Sequence, residues 1–126
     1  IQDTLPQYLS FIYEKIAAEL LIKHADHFFP FAKIGRWWEK NEEIDVVCIN
    51  PILNKILFCE VKWTSKPIGI DIYEALKEKS HKVIWGNKNR QEYFCLFSKH
   101  GFTEAMLEKE KKDNVYLFKG EELLKI

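Results

Sequence analysis

The chain has 126 residues, 47% of them hydrophobic, which suits one compact domain, 1–126, with its own core and leaves little room for a second. Nineteen basic residues balance nineteen acidic ones, so no overall field draws the domain towards nucleic acid or a membrane. No apolar run approaches the roughly 20 residues of a membrane-spanning helix, and no basic-then-apolar signal pattern opens the chain, so the expectation is a cytoplasmic domain with no membrane partner.

The start at Ile1 suggests a piece of something longer. Asp3 and Thr4 are placed to cap a first helix with Pro6 in its first turn. Leu9, Ile12, Tyr13, Ile16 and Leu20 then recur at helical spacing, and the helix ends before Pro30. Glu14 and Glu19 fall on opposite borders of that stripe, and helical geometry does not choose between them. From Phe31 to Trp38, bulky residues broken by Gly35 predict a strand with a bend or bulge. After a turn over Lys40 to Glu43, Ile44 to Ile49 is a second strand, with Asp45 as its one acid among apolar neighbours.

Asn50-Pro51 and Asn54 mark a tight connection into a third strand, Lys55 to Trp63. Short links imply an antiparallel meander, which brings Asp45 within reach of the third strand's Glu60 and Lys62 if their faces match. A second helix follows, with Asp71 and Glu74 patterned as a capping box and Ile72, Ala75 and Leu76 as a packing face. Val83 to Trp85 is a short strand or a connection, and Glu92 to Phe97 a fourth strand. Phe102 and Thr103 launch a third helix through Met106, Val115 to Phe118 is a last strand, and Gly120 to Ile126 a short terminal helix. The order αβββαβ followed by αβ implies an α/β fold, a mixed sheet with helices packed on it.

Cys48, Cys59 and Cys95 are isolated, odd in number and set in strand-like segments, the pattern of core residues rather than of disulfides or a metal site. The basic run Lys77, Lys79, Lys82, Lys88 and Arg90 reads first as a solvated surface and second as a phosphate-facing patch, with Lys79 solvated at the helix end. The four histidines show no ligand spacing. Trp37, Trp38 and Trp63 are core, a subunit contact, or a stacking surface for unpaired bases.

Glu60 and Lys62 demand an explanation, because charges in an apolar strand cost several kcal/mol each unless paired or bound to a metal. Asp45, Glu60 and a helical glutamate form an oxygen-only donor set, suited to Mg²⁺ or Mn²⁺. A lysine beside them can orient a metal-bound water and offset charge on a phosphate. A structural ion-pair network is the alternative.

Asp45, Glu60-Val61-Lys62 and an upstream helical glutamate, in this order of elements, resemble the PD-(D/E)XK nuclease superfamily, with archaeal Holliday-junction resolvases and Mrr-like endonucleases as relatives. Phe11-Ile-Tyr-Glu14, Ile34-Gly-Arg-Trp-Trp38, Glu43-Ile-Asp45, Glu60-Val-Lys-Trp63 and Leu96 to Phe102 resemble more closely the nuclease-like domain at the C-terminus of archaeal AAA-type ATPases. The resemblance implies a restriction-endonuclease-like fold and a metal-dependent DNA endonuclease. It implies Asp45, Glu60 and the Val61 carbonyl as metal ligands, Lys62 as the group assisting the attacking water, and Glu14 rather than Glu19 as the helical acid. The partners it implies are DNA, an ATPase domain in the parent chain and a second copy in a homodimer. The usual proline before the first acid is replaced by Ile44. A catalytically silent binding or regulatory module on the same fold is the rival expectation.

Overall fold

The computed structural model describes residues 7–124. It is an α/β fold in which one six-stranded mixed sheet is covered by three helices. The elements run α1 (Gln7–Lys23), β1 (Lys33–Glu39), β2 (Glu42–Asn50), β3 (Lys55–Lys62), α2 (Ile70–Ser80), β4 (Gln91–Ser98), α3 (Glu104–Lys112), β5 (Val115–Lys119) and β6 (Glu122–Leu123). Spatial order follows chain order from β1 to β6. The first three strands form the expected antiparallel meander, β3, β4 and β5 are parallel, and β6 returns antiparallel. This is the expected αβββαβ order followed by αβ, and it is consistent with a restriction-endonuclease-like layout.

The centre of the sheet is buried on both faces, which explains the unbroken apolar runs of β3 and β4. On one face α1 packs Ala17 and Leu21 with Phe28 and Phe29 against Leu57, Cys59 and Cys95. On the other, Tyr73 and Leu76 of α2 and Met106 of α3 cover Ile56, Phe58 and Leu96. The three cysteines are free and buried in the α1-side core, and burial pushes the Cys48 and Cys59 thiols well up.

Several expected details differ. The face of α1 that meets the sheet is turned towards Ala17 and Leu21, and Ile12, expected inside, stands 48% exposed. The proposed cap at Asp3, Thr4 and Pro6 lies outside the described residues. Gly69, not Asp71, is the N-cap of α2, and no side-chain bond caps it; Asp71 sits in the first turn, where its charge faces the positive end of the helix. Of the two forms expected for Val83 to Trp85, the structure has the connection. In place of a terminal helix, Gly120 and Glu121 turn β5 back into β6. Gly120 has φ +59°, the positive angle that a two-residue II′ hairpin needs at its first central position.

Of the basic run after α2, Lys82 and Lys88 stand exposed, as expected, while Arg90 is consumed internally. Arg90 donates to the carbonyls of Val83 and Trp85 at 2.8 and 2.9 Å, to the Ser80 carbonyl at 3.0 Å, and to Glu92 at 2.9 Å. Its planar fork thus closes the otherwise irregular connection between α2 and β4, and its guanidinium lies over the Phe58 ring. Lysine cannot reproduce this set of directions. Arg90→Ala is expected to lose roughly 2–4 kcal/mol of stability in urea unfolding, with Arg90→Lys restoring little of it; full retention in the lysine variant would show that charge alone suffices.

Candidate functional site

The site begins with an irregularity in the pairing of β1 with β2. Gly35 stands opposite Val47 and Trp37 opposite Ile44, so Arg36 faces two residues, Asp45 and Val46. The break expected near Gly35 is therefore a bulge whose extra residue lies on β2. It reverses the alternation of that strand. Ile44 packs on the α2 side and Val46 on the α1 side, although they are two apart. Asp45 is turned by the same irregularity to line a cleft beside α1.

β2 and β3 part at this point. Their ladder ends at Val46 opposite Cys59, and beyond it each strand supplies a side chain in place of a carbonyl. The N–H of Asp45 donates to Glu60 Oε1 at 3.2 Å, and the N–H of Val61 donates to Asp45 Oδ2 at 2.9 Å. Two part-buried amides are thus satisfied by two carboxylates, which explains why these strands accept the acids. Glu60 Oε2 accepts from Lys79 Nζ at 2.6 Å, and the same ammonium donates to the Glu43 carbonyl at 2.8 Å. Lys79, expected to be solvated, is instead the principal cation on Glu60, with side-chain exposures of 18% and 7%. Its place one turn beyond Leu76 on the packing face of α2 was the available signal.

The cleft holds about 370 Å³ at the carboxyl end of β3 and is lined by Glu14, Asp45, Val61 and Lys62. Four of the five expected site residues therefore meet there; Glu60 is turned behind them towards α2. Of the two helical acids, Glu14 borders the cleft and Glu19 is exposed. Glu14 is bonded to Arg36, which also reaches Glu43 at 3.4 Å and lies over the Phe11 ring. In the sequence Arg36 stands out only as part of the Ile34-to-Trp38 motif. An arginine in a strand of bulky apolar residues is the signal that marks it.

Burial raises the pKa of both Asp45 and Glu60. The Asp45 charge raises Glu60 further, while the Val61 amide and Lys62 hold Asp45 down, and Lys79 holds Glu60 down. Asp45 has no ion-pair partner among the described residues. Lys62 likewise has no carboxylate within salt-bridge distance there. Among the described residues no three carboxylate, imidazole or thiol groups form a ready metal cluster. What suits a hard divalent cation is the donor chemistry of the cleft, whose acids are carboxylates with no imidazole or thiol among its lining; of the two expected carboxylate ligands Asp45 lines it, while Glu60 is paired with Lys79 behind it.

A family model described as archaea bacterial proteins of unknown function, DUF234, matches residues 1–84. The chain belongs to this family. The matched DUF234 segment runs from the start of the chain past α2 and contains Glu14, Arg36, Asp45, Glu60, Lys62 and Lys79. Over 98 residues the chain is 42% identical to an uncharacterized protein of Methanocaldococcus jannaschii, an alignment covering 74% of this chain and 22% of that protein. The chain thus spans about a fifth of that relative's length. No solved structure matches. No described helix is long and apolar enough to cross a membrane.

Because both acids bind protons more readily when folded than when unfolded, their contribution to stability is greatest when both are protonated. It declines as pH rises out of the ordinary carboxylate range through their raised values. Asp45→Asn keeps an oxygen for the Val61 amide and removes a buried charge. In chelator, this variant is expected to melt a few degrees higher than the wild type at neutral pH, with the difference shrinking towards pH 4. An unchanged gap across that range would deny the charge its role.

Proposed function

We propose that the cleft is the active centre of a PD-(D/E)XK-type, metal-dependent endonuclease that hydrolyses DNA phosphodiester bonds as an appendage of an ATPase. The observation that supports it is the bond exchange between Asp45 and Glu60 where β2 and β3 part, with Lys62 at the end of the same strand and bordering the same cleft as Asp45. Held by Asp45, Glu60 and the Val61 carbonyl, Mg²⁺ or Mn²⁺ would supply a Lewis acid and a more acidic water.

The chain's own groups divide the remaining work. Lys62, with three donors and no carboxylate within salt-bridge distance among the described residues, binds a phosphate oxygen and offsets charge developing on it. Glu60 is held by Lys79 and by the Asp45 amide, so serving as a ligand requires its carboxylate to turn from Lys79 towards the cleft. Glu14, steadied by Arg36, closes the α1 side of the cleft. Attachment to a larger protein is supported by the length of the archaeal relative.

A second reading, a catalytically silent binding or regulatory module, is favoured by one observation: Arg36 and Lys79 neutralise Glu14 and Glu60 from within. The two separate in a cleavage assay on branched, single-stranded and duplex DNA with Mg²⁺ or Mn²⁺. The nuclease reading predicts cleavage that falls at least about a hundredfold in Asp45→Ala and in Lys62→Ala. Undiminished cleavage in these variants would remove the residues from the mechanism, and no cleavage by the wild type with either metal would leave the silent module.

A further inference from the structure

One wall of the cleft has no part in the chemistry above. Trp63 follows Lys62 directly, and its ring stacks on Tyr13 of α1, with centroids 4.2 Å apart and planes inclined by 22°. Both rings line the cleft with Asp45 and Lys62, and neither is buried. A stacked pair uses one face of each ring on the other, so the pair extends an aromatic platform rather than filling a core. Neither ring is in the buried core cluster on its side of the sheet.

Charge in the cleft sharpens what such a platform is for. The lining carries three acids, Glu14, Glu43 and Asp45, against two cations, Arg36 and Lys62, and Arg36 is already bonded to Glu14 and Glu43. The chain as a whole has no net charge. Phosphate attraction, which dominates duplex binding, is therefore weak here. Binding a polyanion beside these carboxylates needs a term that does not depend on charge, and every nucleobase offers a π-face for stacking.

We infer that Tyr13 and Trp63 form a stacking subsite for an unpaired base, so that the strand presented to Lys62 is single-stranded rather than duplex; this proposal rests on the nuclease reading of the cleft. The base lies against the free face of the aromatic pair, and its neighbouring phosphate lies at Lys62, one residue away. Selectivity for unpaired DNA follows from geometry: in a duplex both faces of each base are already stacked.

The test measures binding, with no need for turnover. A fluorescently labelled oligothymidylate of about 12 nucleotides and a duplex of equal length are titrated with the protein in Ca²⁺, by anisotropy. The expected result is tighter binding of the single strand, weakened about tenfold in Trp63→Leu with little change for the duplex. Trp63→Phe keeps an aromatic face and retains most of the affinity, while the quenching of tryptophan emission by the oligonucleotide is lost. Melting curves of both variants confirm that they fold. An equal loss on both DNAs, or single-strand binding indifferent to Trp63→Leu, would overturn the subsite even if the protein cleaves DNA. Selective binding that depends on Trp63, without cleavage in Mn²⁺, would uphold the subsite and remove the nuclease.

Discussion

Where β2 and β3 separate, Asp45 and Glu60 each take up a backbone N–H that the ladder has released. Ending a ladder inside a domain normally strands amides without partners, at a cost comparable to a lost hydrogen bond each. Carboxylates meet that need with charge-assisted bonds, but only by bringing two negative charges into the core. The rest of the local structure answers those charges. Lys79 comes from α2 to Glu60, and Lys62 ends β3 at the cleft that Asp45 borders. Arg36 comes from β1 to Glu14.

This dependence explains why the bulge matters more than its size suggests. With regular alternation, Asp45 would share a face with Val47 and point towards α2. The extra residue opposite Arg36 turns it to the α1 side, where Glu14 and the aromatic pair stand. One irregular pairing thus divides the two acids between the two layers of helices while keeping them bonded through their backbones. Glu60 becomes the anchored member and Asp45 the one open to the cleft.

The strand order, the meander and the mixed sheet were legible because hydrophobic patterning and short links leave few topologies. So was the grouping of Asp45 with Glu60, since each is a charge that an apolar strand must justify. The bulge was legible near Gly35, but not the strand that carried its extra residue, because register depends on how two strands fit. Lys79 and Arg36 were misjudged or passed over for a related reason: a long cationic side chain reads as solvated until a buried acid is placed within its reach. The C-terminal hairpin was missed because Glu-Glu-Leu-Leu after a glycine suits a helix equally well, and tertiary pairing with β5 decides it. The turn of α1 follows from the same limit, since its outer face is itself apolar at Phe11, Ile12 and Ile22.

Among the described residues Asp45 has no ion-pair partner, and the proposed nuclease requires a place for a divalent cation beside it. Calorimetric titration of Mn²⁺ into the wild type and into Asp45→Asn examines that place without requiring a substrate. Saturable binding by the wild type that is lost in the variant is the predicted result; absence of binding, or binding of equal strength by both, would contradict a metal-dependent site at the point where β2 and β3 part.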